Sequence, residues 1–311
     1  MSFKLFQVTF AVILFLGTWL TVSSCSTPTT KDLPVKTLVL GHRGIGIHEN
    51  EGHIENTISA IREGLRYADG VEVDVQMSLS KTLWLYHDDV FTHLCDSSQD
   101  MLNNYKYNCI LQTPDSLIEQ LHICREGAKD KITRLSELFK EISKSENSNK
   151  FISLDIKGYF DSTCVQTKNV DTYYQTDLAN ELYRLIKKYS VEKQVVVQTN
   201  YSTVLSKIKE KDSSIACYYL IFQNMKEKMK YAKELSLDGL SLNMFDTTLN
   251  KTELNRAKTN GLKIDFWTIR TKEDFKKAMD YRPNFIEVSN FDLLREIYHT
   301  DTLNDNSLLR N

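Results

Sequence analysis

The sequence predicts an α/β fold, a (β/α)8 barrel of the TIM type, and three observations favour it. The 311 residues are 41% hydrophobic and 26% charged, which suits one large core. Short apolar runs alternate with amphipathic helical patterns over most of the length, as in parallel strands joined by helices. Polar residues stand near the ends of several widely separated strands, where barrels place their functional groups. An open doubly wound sheet is the alternative fold.

Eight strands are expected to form the barrel, with helices between most of them. The helical patterns begin at Asn56 and Thr57 and after a Thr133 cap, and recur at 176–189, 202–209, 226–235, 251–259 and 272–279. The strands are predicted at 37–40, 70–76, 151–157, 194–199, 215–220, 239–242, 262–269 and 285–288.

The second of these strands alternates strictly between valines and polar residues. The three valines face one side, whereas Glu72, Asp74 and Gln76 face the other. A surface strand also shows this pattern. Valines packed against the helices would instead place the three polar side chains inside the barrel, which is costly unless they bind something.

A β-hairpin is expected next, because the turn at Ser78–Lys81 is too short for a crossover helix. With the turn centred between Leu79 and Ser80, His87 on the return strand lies opposite Glu72. This pairing would bring a titratable ring beside the carboxylates of the second strand.

The N-terminal residues, 1–24, have the pattern of an export signal. The apolar run from Phe6 to Leu20 is too short and too broken to predict a transmembrane span. Small residues then precede Cys25, as in the bacterial lipoprotein signal, whose cysteine is lipidated. An ordinary secretory signal or an uncleaved anchor is the alternative. Residues 25–36 are expected to be a tether, which leaves 37–311 as a single barrel domain.

The net charge and the targeting signal limit which partners are expected. The net charge of −2 gives no basic footprint, so no nucleic-acid partner is expected. A membrane partner is expected through the lipid anchor. Ser26 follows the cysteine without an acidic run, a pattern that resembles sorting to the periplasmic face of the outer membrane.

The residues at about 89–131 are irregular and are expected to form a small insertion over the site, with a helix at 115–124. Cys95, Cys109 and Cys124 lie in this insertion, and an exported protein could pair them in a disulfide. Buried unpaired cysteines are the alternative. Five cysteines remain after the lipidated one, so at least one thiol is expected to be free.

An oxygen-only cluster is predicted at the strand ends. Glu72 and Asp74 share one face of the second strand, and Asp155 ends the third. Carboxylates alone suit a hard divalent cation such as Ca²⁺ or Mg²⁺. Arg43 and Lys157 would lie beside it and offset the charge of a bound phosphate.

Two histidines complete the candidate chemistry. His42 follows the first strand and His87 follows the hairpin, so each could exchange a proton near neutral pH. Placed on either side of a phosphorus atom, they could act as general acid and base. The glycines around His42 do not have the spacing of a dinucleotide fingerprint.

These motifs resemble those of the glycerophosphodiester phosphodiesterase family, in a bacterial lipoprotein form. Weaker matches continue along the later strands, so the resemblance covers nearly all of the predicted domain. The matching motifs are His42-Arg43-Gly44, Glu55-Asn56-Thr57, Glu72-Val73-Asp74 and His87-Asp88, with weaker matches at Leu154–Lys157, Gln198-Thr199 and Trp267-Thr268.

The resemblance implies a phosphodiesterase of the barrel fold that depends on a divalent cation. The implied reaction is hydrolysis of a small-molecule glycerophosphodiester to glycerol 3-phosphate and an alcohol. The implied site comprises His42 and His87 as the acid–base pair, Glu72, Asp74 and Asp155 on the metal, Arg43 and Lys157 on the phosphate, and Glu55, Asn56 and Trp267 in support.

The chain departs from the family pattern where substrate is held. Asp155 stands where the family has Glu, Arg270 replaces an Asn, and Val288-Ser289 replace a Thr-Asp pair. An arginine that commonly follows the His-Asp motif is also missing. These departures bear on the substrate more than on the chemistry. The alternatives are therefore a phosphodiesterase acting on lysophospholipids or other phospholipids, and a non-catalytic barrel lipoprotein that only binds.

Overall fold

The strands of the protein are short and most of them are parallel. A computed structural model describes residues 36–46, 52–105, 107–125, 127–158, 164 and 170–302. The predicted signal peptide, Cys25 and the tether before Lys36 lie outside these residues. The strands are β1 (Leu38–Gly41), β2 (Gly70–Met77), β3 (Leu83–Leu85), β4 (His122–Arg125), β5 (Ala128–Lys131), β6 (Thr133–Arg134), β7 (Phe151–Ile156), β8 (Val195–Thr199), β9 (Ala216–Ile221), β10 (Gly239–Asn243), β11 (Lys263–Ile269) and β12 (Phe285–Val288).

Eight of these strands close into a barrel. The order around it is β1, β2, β7, β8, β9, β10, β11 and β12, and every neighbouring pair is parallel. β1 pairs with both β2 and β12, which closes the ring. The predicted (β/α)8 barrel is confirmed, because an open doubly wound sheet would leave two strands at free edges.

Helices surround the barrel and connect its strands. They are α1 (Ile58–Tyr67), α2 (Asp96–Tyr105), α3 (Asp115–Ile118), α4 (Leu135–Ile142), α5 (Val170–Tyr189), α6 (Ser202–Lys211), α7 (Met225–Glu234), α8 (Lys251–Thr259), α9 (Lys272–Met279) and α10 (Phe291–Thr302). Among the described residues, no helix is both long and apolar enough to cross a membrane.

The helix caps show where local sequence signals succeeded and failed. Thr57 caps α1, and its hydroxyl accepts a hydrogen bond from the Ala60 amide at 3.4 Å. The predicted Thr133 cap of α4 was wrong. Arg134 occupies the cap position, and the Thr133 hydroxyl instead accepts a hydrogen bond from the Ile58 amide.

The alternation of β2 separates the core from the barrel interior. Val71, Val73 and Val75 are fully buried in the main hydrophobic core, which lies between the barrel and the helices. Glu72 and Asp74 are also buried, but they line a cavity together with residues from other barrel strands. The polar face of β2 therefore points into the barrel, which is the second of the two interpretations of the alternating pattern.

The hairpin register differs by one residue from the prediction. β2 and β3 are antiparallel with Met77 opposite Leu83, which would place His87 opposite Val73 rather than Glu72. Three residues separate Ser78 from Thr82, and the last of them, Lys81, has a left-handed φ of 62°. A three-residue loop of this kind is common in hairpins and shifts the register by one from an even-numbered turn.

The insertion is built differently from the helix predicted at 115–124. Only α3 is helical there, and the residues after it form the two-stranded sheet of β4 and β5. Ile123 of β4 is buried in a second hydrophobic core with Trp84 and Ile118. Burial against the hairpin side of the barrel thus overrides the helical propensity of the segment.

Two disulfides hold the insertion. Cys95 is bonded to Cys124 within it, and Cys109 is bonded to Cys164 beyond β7. Cys217 is a free buried thiol, and burial raises its pKa to about 12. The disulfide expected in this region is present. The free thiol lies in the main hydrophobic core between the barrel and the helices, where it is protected from reaction.

Candidate active site

A cavity of about 190 Å³ lies at the carboxyl ends of the barrel strands. Its walls come from the ends of β1, β2, β7, β8, β9, β11 and β12 and from His87, which follows β3. It brings together eight of the residues predicted for the site, namely His42, Arg43, Glu72, Asp74, His87, Asp155, Lys157 and Trp267.

The three predicted metal-binding carboxylates converge. Oxygen atoms of Glu72, Asp74 and Asp155 lie within 4.8 Å of one another. The parallel register of β2 and β7 places Asp74 beside Asp155, and Glu72 precedes them on the same face. Burial raises the pKa of Glu72 well above its ordinary value, and the nearby charges of Asp74 and Asp155 raise it further. The cluster therefore resists holding three negative charges alone and fits a bound divalent cation.

Two cationic side chains balance part of this charge. Lys157 Nζ lies 2.8 Å from Asp74 Oδ1 and 2.6 Å from Asp155 Oδ2, and Arg43 Nε lies 3.3 Å from Asp74 Oδ2. Burial opposes ionisation of Asp74, but Lys157 and Arg43 outweigh it and hold the pKa of Asp74 far below its ordinary value. Burial raises the pKa of Asp155, which carries less compensation.

Asn56 fixes the orientation of Asp74. Its amide nitrogen donates to Asp74 Oδ2 at 2.8 Å, and its amide oxygen accepts from the backbone N–H of Asp74 at 3.0 Å. Asn56 has a left-handed φ of 60°, a conformation that asparagine tolerates better than most residues. It acts as support for a candidate ligand, since it is fully engaged with that carboxylate.

Glu55 lies beside Arg43 rather than in the carboxylate cluster. One of its oxygens accepts from Arg43 Nη1 at 2.9 Å, and the other accepts from Arg125 Nη1 at 3.2 Å. Arg125 belongs to β4, so the insertion contributes to this arrangement. Glu55 and Asn56 line a small neighbouring cavity of about 20 Å³ that also borders His87.

The loop after β1 is tightly bound to Glu72. Arg43 has a left-handed φ of 54°, and its backbone N–H donates to Glu72 Oε2 at 2.9 Å. Gly44 follows with a φ of 102°, and an added Cβ would lie 2.9 Å from the backbone of Ala60. Glycine is required there so that the loop can pass close to α1 and place His42 at the cavity.

His42 is held between Ser289 and Glu72. Its Nδ1 lies 3.2 Å from Ser289 Oγ, and its Nε2 lies 3.8 Å from Glu72 Oε2. Burial, followed by the positive charge of Arg43, lowers the pKa of His42 well below its ordinary value. The ring is therefore neutral at physiological pH and can accept a proton. The departure at Ser289 places a hydroxyl group on this histidine.

His87 is oriented by its neighbour in sequence. Its Nδ1 lies 2.6 Å from Asp88 Oδ1, and Thr92 donates a hydrogen bond to the other oxygen of Asp88. The hydrogen bond with His87 is the main reason that the pKa of Asp88 is lowered to about 2. A carboxylate on Nδ1 fixes the tautomer of a histidine and leaves Nε2 for substrate.

The sequence analysis missed two buried carboxyl groups in the barrel interior. Glu287 Oε1 accepts from Gln198 Nε2 at 2.9 Å, and Asp265 Oδ2 accepts from the Ser241 hydroxyl at 2.9 Å. Burial raises the pKa of Asp265 to about 6, and that of Glu287 well above its ordinary value. Atoms of Glu287, His42 and Glu72 lie within 4.8 Å of one another. In the sequence, Glu287 and Asp265 are each an acidic residue between two apolar ones within a predicted strand. That pattern was the signal that could have indicated a buried carboxyl group.

These features define a class of protein. One cavity at the carboxyl ends of the barrel strands holds a cluster of three carboxylates, the cationic side chains of Arg43 and Lys157, and two histidines. These groups suit a phosphodiesterase, which must offset the negative charge of a phosphoryl group and transfer protons on both sides of the phosphorus atom.

Comparison with known proteins agrees with this class. Residues 42–287 match the model of the Glycerophosphoryl diester phosphodiesterase family, and the chain belongs to that family. A glycerophosphodiester phosphodiesterase from Caldanaerobacter subterraneus subsp. tengcongensis is 24% identical over 246 residues, which cover 79% of this chain and 90% of that protein. The protein is therefore a phosphodiesterase.

Solved structures share the fold. A glycerophosphodiester phosphodiesterase from Parabacteroides distasonis superposes with a TM-score of 0.67 at 17% identity, covering 86% of this chain and 98% of its own. An Oleispira antarctica phosphodiesterase, solved with its product sn-glycerol-3-phosphate, has a TM-score of 0.65 at 16% identity and covers 85% of this chain and 97% of its own.

Proposed function

We propose that the protein hydrolyses glycerophosphodiesters to glycerol 3-phosphate and an alcohol with the help of a divalent cation. The observation that carries this proposal is the convergence of Glu72, Asp74 and Asp155 in the same cavity as His42 and His87. The similar Oleispira antarctica phosphodiesterase was solved with sn-glycerol-3-phosphate as its product, which supports the same product here.

Glu72, Asp74 and Asp155 would hold the cation, which is Ca²⁺ or Mg²⁺ by the chemistry of an oxygen-only set. Such a cation would polarise a phosphoryl oxygen and offset its negative charge. Asn56 keeps the Asp74 carboxylate in a fixed orientation through two hydrogen bonds. The chain therefore supplies a preformed set of ligands rather than one that assembles around the ion.

Arg43 and Lys157 would contact the phosphate. Both lie among the carboxylates, with Lys157 Nζ 2.6 Å from Asp155 and Arg43 Nη1 2.9 Å from Glu55. An ammonium or guanidinium group held in this way is fixed in place before substrate arrives, which lowers the cost of ordering it.

The two histidines divide the proton transfers. His42 is neutral, so it would take a proton from the water molecule whose oxygen bonds to phosphorus. His87, oriented by Asp88, would give a proton to the alcohol oxygen as its bond to phosphorus breaks. One P–O bond forms and one breaks, and each histidine returns to its starting state by exchanging the transferred proton.

We also propose that the protein is exported and anchored to a bacterial membrane through a lipid on Cys25, on the periplasmic face of the outer membrane. The Cys95–Cys124 and Cys109–Cys164 disulfides support export, because such bonds persist in oxidising compartments. Replacement of Cys25 by Ser should abolish lipid labelling and release the protein into the soluble fraction. Unchanged labelling of that variant would contradict the anchor.

The function is tested by incubating the protein with a panel of glycerophosphodiesters and lysophospholipids and measuring glycerol 3-phosphate. We expect glycerophosphodiesters to be hydrolysed, and His42→Ala and His87→Ala to lose at least about 100-fold in rate. His122→Ala, which removes a histidine of the insertion outside the cavity, is the matched control. Undiminished hydrolysis in both active-site variants would overturn the assignment of the acid–base pair.

A further inference from the structure

The side of the cavity across from the carboxylate cluster is aromatic and cationic. We define the aromatic ledge as Phe222, Phe245, Trp267 and Arg270, which lie at or just after the ends of β9, β10 and β11. Around the barrel, β8 to β10 separate β11 from β7 on one side, and β12 and β1 separate it from β2 on the other. The ledge and the cluster therefore face each other across the mouth.

Two phenylalanines of the ledge are exposed. Phe222 is 52% exposed and Phe245 is 47% exposed, and large apolar side chains that are exposed together mark a binding surface. Phe222 packs edge-on against Trp267, with ring centroids 5.2 Å apart. The guanidinium of Arg270 lies over the ring of Phe245, 5.3 Å from its centroid.

Arg270 differs from the other cations that line the cavity. Arg43 and Lys157 are each ion-paired with carboxylates of the site. Arg270 is exposed and lines the same cavity, yet no carboxylate in the described part of the chain pairs with its guanidinium. The N–H groups of this guanidinium are therefore available to donate to a ligand in the cavity.

A guanidinium that lies over an aromatic ring and has no carboxylate partner among the described residues is suited to an anion. It presents a planar fork of donors that matches the oxygens of a phosphate or carboxylate. A substrate that covered the apolar rings beside it would exclude water and strengthen that contact. A long acyl chain would use the rings but would leave the guanidinium without a partner.

We propose that the aromatic ledge is a subsite for a second anionic group of the substrate, a phosphate or carboxylate on the part of the diester remote from the scissile phosphate. This proposal rests on the proposed function, because it places the scissile phosphate at the carboxylate cluster. Arg270 is its specificity-determining residue, and Phe222 lines the approach to it.

The experiment compares Arg270→Gln with the unaltered protein on two diesters. Glycerophosphocholine has a cationic alcohol, whereas glycerophosphoinositol 4-phosphate carries a second phosphate. We expect Arg270→Gln to lose about tenfold in kcat/KM for the anionic diester, the effect of one charge-assisted contact, and to change less than about twofold for glycerophosphocholine. Arg256→Gln, on the exposed face of α8, should change neither.

Binding is measured separately in a His42→Ala background, where turnover is blocked. Titration with glycerophosphoinositol 4-phosphate should give a dissociation constant about tenfold higher when Arg270 is also replaced by Gln. This arm distinguishes the two proposals, since it reports on the ledge even if the unaltered protein fails to hydrolyse any glycerophosphodiester.

Three results would overturn the subsite. The first is an equal loss on both diesters, which would indicate a structural role. The second is an unchanged kcat/KM of Arg270→Gln on the anionic diester, together with a titration that shows the same dissociation constant for both proteins or no measurable binding. The third is selective loss of lysophospholipid hydrolysis in Phe222→Ala with Arg270→Gln unaffected, which would assign the ledge to an acyl chain.

Discussion

At the scale of single residues, the site is defined by how charges are paired. Asp74 is compensated by Lys157 and Arg43, whereas Glu72 keeps a raised pKa because burial and the other carboxylates oppose its ionisation. This imbalance is the physical reason for expecting a cation. A site made for stability alone would have been neutralised by its own side chains.

Asn56 offers a test of that cation site. Asn56→Gly tolerates the left-handed backbone but removes both hydrogen bonds to Asp74, so the cation concentration for half-maximal activity should rise about tenfold. Activity is measured against added Mg²⁺ or Ca²⁺. Asn260→Gly, at the end of α8, is the control. A loss of activity that no cation concentration restores would contradict this role.

The pH dependence of catalysis tests His42. Because its pKa is lowered and its neutral form accepts the proton, activity should fall only as the pH drops through that lowered pKa. The acidic limb of kcat/KM should therefore lie below pH 6.5, the ordinary value for histidine. A limb at or above that pH would show that another group controls it.

Alternation and strand-end position predicted Glu72, Asp74 and Asp155 from the sequence, because adjacent strands must bring such residues together. Glu287 and Asp265 could not be predicted in the same way. Each is a single acidic residue between apolar ones, and Gln198, which donates to Glu287, lies four strands earlier in the sequence. The contact between Ser289 and His42 likewise depends on closure of the barrel.

At the scale of elements, the insertion does more than cover the barrel. Arg125 of β4 contacts Glu55, which contacts Arg43, and the next residue back from Arg125 is Cys124 of a disulfide. The insertion thus reaches Arg43, the arginine proposed to contact the phosphate, through a chain of two ion pairs. The Cys95–Cys124 bond holds the β4 strand in the position that this contact requires.

Removal of Arg125 should weaken substrate binding through Glu55. Arg125→Met is expected to raise KM about threefold with little change in kcat, since the ion pair is partly exposed. Arg125→Lys should restore part of the loss. In a Glu55→Gln background the same substitution should have no further effect, whereas additive effects of the two substitutions would contradict this chain of contacts.

Element types followed from local patterns more reliably than register did. α8 and α9 have the predicted bounds, because their caps and periodicity are local signals. The hairpin register depended on a three-residue loop that the sequence does not mark with a glycine. The strand β4 replaced a predicted helix because its pairing with β5 and burial against the second core are tertiary effects.

At the scale of the whole molecule, polar groups in the barrel interior make stability depend on pH. Burial raises the pKa of Asp265 from 3.8 to about 6. A raised carboxyl pKa contributes stability that is complete below the unfolded pKa and is lost as pH rises through the folded pKa. The shift corresponds to about 3 kcal/mol of unfolding free energy between these limits.

Asp265→Asn should remove the part of this pH dependence that Asp265 contributes. As the pH rises from 4 to about 7, the melting temperature of the unaltered protein should fall relative to that of the variant. Asp265 must ionise in the interior over this range, whereas an asparagine at the same position stays neutral. Thermal unfolding followed by circular dichroism at several pH values measures the difference. Parallel curves would show that Asp265 keeps an ordinary pKa.

The central claim is that Glu72, Asp74 and Asp155 hold the cation used in hydrolysis. The most direct measurement is a titration of chelator-treated protein with Mg²⁺ and Ca²⁺, in which binding and glycerol 3-phosphate release are followed together. We predict that both rise over the same concentration range, and that Asp155→Asn shifts both to higher concentration. Asp177→Asn, on helix α5 and outside the cavity, should shift neither. Full hydrolysis in the presence of chelator, or binding that Asp155→Asn leaves unchanged, would contradict the account.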